Sequence, residues 1–268
     1  MINIETLTEL YFSSGEPTPY KLKCGYELKI FPVKVKNWSE FSSCLDCVTF
    51  DKNEINDINI IKMSNLDFLF YMHINNDPNI NLYKLATIIK YSFGEKIISM
   101  EKSKGKNVLA ILDSDKPKNV NDESKYKIKY YITAKEFDEI MEIILFQNIY
   151  DYDNRHISSY VKELYQSYIE TVNTNQVDPT LERKKVFVMS KVGMSLNEIN
   201  ELQYRIFNQM YVTNVEIDLY YSRTIMQASE KYDIKEEIVY PLFEKKKDRY
   251  DCLFVQKSSV TNKLNKIQ

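Results

Sequence analysis

The chain has 268 residues, with 36 Lys and Arg against 38 Asp and Glu, and a formal net charge of -2. With no surplus of cations the chain lacks the footprint of a strong nucleic-acid binder, and specific nucleic-acid binding is not expected. Twenty-one Tyr and 13 Phe stand beside only five Gly, and neither G-x-G-x-x-G nor G-x-x-x-x-G-K-[ST] occurs, which argues against a glycine-built phosphate cradle.

The start, MINIETLTEL, carries Glu5 and Glu9 and has no basic segment leading into an apolar one, so it does not read as a signal peptide. No apolar run approaches the roughly 20 residues of a membrane span. An intracellular protein in a reducing compartment, with thiols rather than disulfides, is the expectation. Gly15, Pro17 and Pro19 make residues 13–19 a loop. YELKIFPVKV alternates as a strand, and Pro32 puts it at a sheet edge or a strand end. Asn37, followed three residues later by Glu40, is a capping pattern for a helix. A second helix is expected from about Ser64 through LDFLFYMHI, and a third from Leu82 to Phe93, stopped by Gly94.

EKIISMEK, KNVLAIL and KYKIKYYI read as three strands, the first two joined by the hairpin turn SKGKN. DSDKPKNVNDESK before the third reads as a loop. Thr133 and Glu136 form a T-x-x-E box for AKEFDEIMEIILFQN, whose Phe137, Ile140, Met141, Ile144 and Leu145 share one face. Beyond Asn148 the texture is helical: DYDNRH is a linker, Ile157 to Val172 a helix, and Asp178 and Pro179 the N-cap and first residue of another that ends at Gly193. Ser195 and Glu198 box SLNEINELQYRIFNQMY, and a long helix through VEIDLYYSRTIMQASEKY follows. The expected fold class is α+β. A mixed α+β domain over residues 1–150 carries short antiparallel strands, an all-helical domain covers 151–250, and 251–268 form a flexible tail.

Four motifs invite a chemical reading. Cys44 and Cys47 form a C-x-x-C, yet the other candidate ligands, Cys24, Cys252, His73 and His156, offer no second pair at ligand spacing. Beside Trp38, Phe41 and Val48, the two thiols read as small core hydrophobes. Asp113 and Asp115 form a D-x-D without the further carboxylates of a Mg²⁺ site, and Asp151, Asp153 and His156 fit a linker. Lys245 to Lys247, flanked by Glu244 and Asp248, read as a solvated face. Residues 180–210 mimic a helix-turn-helix in which Asn197, Asn200 and Gln203 could meet bases. Glu198 and Glu201 against a lone Arg205 oppose phosphate there, and packing through Val186, Met189, Ile199, Leu202 and Ile206 explains the pattern without DNA. No catalytic, cofactor-binding or metal-binding residue is assigned; no G-x-S-x-G or H-E-x-x-H is present.

The order of the segments Tyr11 to Tyr20, Leu28 to Val35, Ile60 to Leu69, Ile132 to Asn148 and Gly193 to Ile199 resembles a family of tail or baseplate morphogenesis proteins of tailed bacteriophages. The likeness is to phages and prophages of low-GC Gram-positive bacteria in particular. It spans most of residues 11–210 and contains no catalytic signature. It implies a non-enzymatic structural or assembly role, chaperone-like or virion-borne, with other tail or baseplate proteins as partners and no membrane. The implied location is the host cytoplasm during assembly, with the virion tail or baseplate as the alternative; an oligomeric arrangement is compatible with this. A DNA-binding regulator built on residues 180–210 is the alternative function.

Overall fold

A computed structural model of the chain describes residues 3–50, 57–74, 82–95, 98–113, 127–149, 152, 159–172, 178–229, 238–244 and 250. The fold is α+β, with two small antiparallel sheets in the N-terminal half and helices among the described residues of the C-terminal half. By contacts it divides into two units, residues 1–154 with 194–209, and residues 155–193 with 210–268.

The first unit begins with a helix that the sequence reading missed, α1 (Ile4–Ser14). Strands β1 (Thr18–Lys21) and β2 (Glu27–Ile30) then form an antiparallel pair in the register Thr18 to Ile30, so the expected loop over 13–19 closes at Pro17. Pro32 lies just past the strand end, as a residue without an N–H requires. A 3₁₀ turn leads into α2 (Trp38–Ser42). Asn37 occupies its N-cap position but makes no side-chain cap bond, and Glu40 instead accepts from the Tyr91 hydroxyl. The short α3 (Ile58–Lys62) precedes α4 (Asn65–Ile74), which Ser64 caps by accepting the Asp67 N–H at 3.0 Å. Helix α5 (Leu82–Phe93) stops where Gly94 turns left-handed at φ +79°, as expected.

Strands β3 (Ile98–Ser103), β4 (Lys106–Leu112) and β5 (Ile128–Thr133) form the second sheet in that order. Lys104 and Gly105, at φ +50° and +77°, make the two-residue hairpin turn whose twist matches the strands. Helix α6 (Ala134–Asn148) follows β5 directly and is the hub of the unit. It meets α1, α4, β4 and β5, and Ile140, Ile143 and Ile144 along it are fully buried. The Thr133–Glu136 box is formed, and buried Glu136 also accepts the Lys23 N–H at 2.7 Å. Burial pushes a carboxyl up, but these hydrogen bonds, from the Lys23 amide and from Thr133, outweigh it and hold Glu136 below its ordinary range. At the far end Gln147 donates to the Thr18 hydroxyl at 2.5 Å and to the Ile30 carbonyl at 3.1 Å, while Asn148 accepts the Val33 N–H at 2.8 Å. The core joins these helices to Leu28 and Ile30 of β2 and Leu109 and Ile111 of β4.

The second unit contains α7 (Ser159–Val172) and α8 (Leu181–Val192). Thr180, not Asp178, is the N-cap of α8, accepting the Arg183 N–H at 3.4 Å, and Gly193 ends the helix at φ +76°. Residues 196–228 form α9 (Leu196–Glu201) and α10 (Tyr204–Ala228). Helix α9 and the start of α10, to Gln209, belong to the first unit, and the rest of α10 to the second. The Ser195–Glu198 box is formed, but the helix breaks at Leu202, not near residue 211 as the sequence suggests. The linker 151–156 apart from Tyr152, the loop 114–126 and the tail 251–268 lie outside the described residues.

Candidate interaction surfaces

Cys44 and Cys47 sit at the end of α2 and in the 3₁₀ turn Leu45–Cys47, both buried in the core cluster with Phe41 and Ile89. Burial, reinforced by the nearby Asp46 carboxylate, pushes the Cys47 thiol up to about 12. A thiol so placed stays protonated and is a poor nucleophile, the opposite of a redox dithiol. Asp46 points its charge outward to Lys84 at 2.5 Å. No group of three or more His, Cys, Asp or Glu that could hold a metal occurs among the described residues. Asp113 closes β4 by donating its N–H to the Lys127 carbonyl at 2.9 Å, and His73 is an exposed residue of α4. Asp115, Asp151, Asp153, His156, Lys245 to Lys247 and Cys252 lie outside the described residues.

The stretch from Ser195 to Met210 is not one helix. Leu202 is extended, at φ -63° and ψ 150°. Its carbonyl accepts the Val35 N–H at 2.9 Å, the Tyr204 N–H donates to the Val33 carbonyl at 2.7 Å, and Lys34 and Gln203 form an isolated antiparallel bridge. The side chains reinforce this seam. The Trp38 and Tyr204 rings stack with centroids 3.4 Å apart and planes 4° from parallel. Glu201 takes Lys34 at 2.6 Å and Lys36 at 2.5 Å, and hydrogen bonds from these two ammonium groups hold its carboxyl down at about 2. Arg205 donates to the Phe146 carbonyl at 2.6 Å, and its guanidinium lies 4.7 Å over the Phe12 ring.

These contacts bear on the helix-turn-helix pattern. A recognition helix needs an unbroken run whose polar side chains are free to enter a groove. Here the run ends after six residues; Gln203 reaches the Gly15 carbonyl at 3.4 Å, and Arg205 turns inward to Phe146. Glu198 is spent on the Ser195 cap. Asn197 is exposed and Asn200 half-buried. Val186, expected as a packing residue, is 66% exposed, and Val188 is the buried residue of α8. Ile199 is buried as expected, joined by Phe207.

The second unit presents large apolar side chains to solvent. On α7, Tyr160, Leu164 and Tyr168 recur at every fourth position and are 67%, 41% and 41% exposed, while Val161, Tyr165 and Ile169 beside them are half-buried. Further along the chain, Leu219, Tyr221, Ile225 and Met226 of α10 are exposed, Ile225 at 70%. The sequence reading placed a helix over Ile157 to Val172 without assigning it an apolar face, and periodicity does not distinguish a core-facing stripe from an uncovered one. Lys184 and Lys191 of α8 are engaged with the Tyr211 ring and with Asp218 of α10. No helix among the described residues is long and apolar enough to cross a membrane. No protein-family model matches the chain, and no curated protein or solved structure is found similar to it.

Proposed function

We propose that the protein is a non-enzymatic structural or assembly component of a bacteriophage tail or baseplate, working through protein–protein contacts in the host cytoplasm or in the virion. The phage context rests on the sequence resemblance described above. The observation that carries the contact role is the exposed apolar surface of the helical unit, Tyr160, Leu164 and Tyr168 on α7 and Leu219, Tyr221, Ile225 and Met226 on α10. Tyrosine and methionine are enriched in interface cores, where a flat amphipathic ring gives contact area at low entropic cost. The seam around Leu202 supports the same reading, since it commits Gln203 and Arg205 to the protein's own interior.

The test is affinity capture of the tagged full chain from its host during phage production, with mass spectrometry of what is retained. A tail or baseplate protein should be captured, and the double variant Tyr221→Asp, Ile225→Asp should lose it. Absence of such a partner, together with nanomolar sequence-selective DNA binding abolished by Asn197→Ala, would replace this reading with the regulator.

A further inference from the structure

We propose that the break at Leu202 is a latch, and that residues 196–228 form one continuous helix when the latch opens. This goes beyond the contact role above, because it gives one segment of the chain two conformations.

Sharp interruptions of a helix ordinarily fall at proline or glycine. Between Ser195 and Ala228 the sequence contains neither. Helix α9 ends at Glu201 and α10 begins at Tyr204, so only Leu202 and Gln203 stand outside the helical conformation. The apolar pattern runs straight across this gap. Ile199, Leu202, Ile206, Met210, Ile217 and Tyr221 are spaced 3, 4, 4, 7 and 4 residues apart, which places them on one face of an uninterrupted helix. Local sequence therefore favours a straight helix, and the break is imposed by residues 33–38.

For the backbone the exchange is close to even. Opening gives up the bonds from the Val35 N–H to the Leu202 carbonyl and from the Tyr204 N–H to the Val33 carbonyl, at 2.9 and 2.7 Å. A helix closed through the gap lets the amides of residues 203–206 donate to the carbonyls of residues 199–202. Side chains hold the balance toward the broken form. They are the Trp38–Tyr204 stack, the ion pairs of Glu201 with Lys34 and Lys36, and the bond from Arg205 to the Phe146 carbonyl. Ile199 and Phe207, both fully buried, act in the same direction. All of these residues belong to the first unit. The ion pairs are exposed, contribute little and weaken with salt, which leaves the stack and the buried apolar pair as the main restraint. A ligand that binds one form better than the other shifts the population by its differential affinity.

The test reads the Leu202 and Gln203 Cα and carbonyl-carbon shifts of the full chain by chemical-exchange saturation transfer NMR, which follows minor states of about 0.1–10%. In the double variant Trp38→Ala, Tyr204→Ala a second state should appear, or become the major one, with both residues at helical shifts. Glu201→Gln, a milder change at an exposed ion pair, should raise the same state by a smaller amount, and it decides the matter if the double variant does not fold. Adding Gln203→Pro to either should abolish the helical state. The proline removes the N–H that would donate to the Ile199 carbonyl, and it favours the extended Leu202 that the broken form already has, at φ -63° and ψ 150°. A second state with the shifts of an unstructured chain, in which the segment melts on release, would overturn the proposal. So would the absence of a second state in every folded variant, or helical shifts that survive Gln203→Pro.

Discussion

Replacing Tyr204 by Ala should release the seam that joins the start of α10 to residues 33–35. The side chain loses its stack on Trp38, while the backbone bond from the Tyr204 N–H to the Val33 carbonyl is formally kept. About half of a tyrosine's surface, on the order of 100 Å², leaves contact, which at about 25 cal/mol per Å² is about 2.5 kcal/mol. The rings lie almost directly over one another, an arrangement that their quadrupoles favour less than an offset stack. The specific aromatic contribution is therefore at the low end, about 0.5–1 kcal/mol. Hydrogen exchange reads this locally: the Val35 and Tyr204 amides, whose partners are Leu202 and Val33, should lose protection by roughly 150- to 400-fold. In a double-mutant cycle with Trp38→Ala the coupling should be about 0.5–1 kcal/mol. Unchanged protection of these two amides in Tyr204→Ala would refute the reasoning, as would strict additivity of the two substitutions.

Glu201 should titrate near 2, because Lys34 and Lys36 hydrogen-bond its charged form. A carboxyl depressed on folding stabilises above its unfolded value of about 4.3, and that contribution disappears as the pH falls toward 2. Carboxyl-carbon NMR should show the low midpoint, and a midpoint near the unfolded value would mean that the ion pairs do not persist. In a Cys252→Ser protein, Cys24 should react readily with a disulfide reagent while Cys44 and Cys47 stay silent until unfolding. A thiol at about 12 leaves roughly one thiolate in 10,000 at pH 8, so rapid reaction of three thiols would contradict the buried placement. Glu136→Ala should cost about 1–3 kcal/mol in urea unfolding, because the Lys23 N–H and the Thr133 N–H lose a shared buried acceptor. A loss under about 0.3 kcal/mol would show that water replaces the carboxylate.

What was readable in the sequence is what local chemistry decides. Gly94, the Lys104–Gly105 turn, the Thr133 and Ser195 boxes and the left-handed Gly193 each act on their immediate neighbours, and each lies where the pattern put it. Helix α1 went unread although Asn3, a residue type favoured at N-caps, stands directly before IETLTELYFSS. The break at Leu202 escaped for a different reason. ELQYRIF contains no Gly or Pro and is locally a good helix. It is interrupted by backbone bonds to residues 33 and 35, more than 160 positions earlier, and no window of sequence contains both sides. The core role of Cys44 and Cys47 was readable because the aromatic residues around them were. The exposed stripe of α7 was not read from the sequence, and its exposure depends on what the rest of the chain leaves unfilled.

The two amides that end α6 also fix an order of events in time. Gln147 and Asn148 hold Thr18, Ile30 and Val33 across separations of 115 to 129 residues. On a ribosome adding about 5–20 residues per second, the amino-terminal hairpin waits roughly 6–25 s for these partners to be made. Over that interval its two strands cannot rely on α6. Their four-residue length and the Lys21–Glu27 and Lys29 charges at their rims are features that keep a waiting strand from pairing with a neighbouring nascent chain. The C-terminal amides of α6 thus act as a checkpoint: the first thirty residues are among the first to be made, yet they gain these partners only once the chain has passed residue 148.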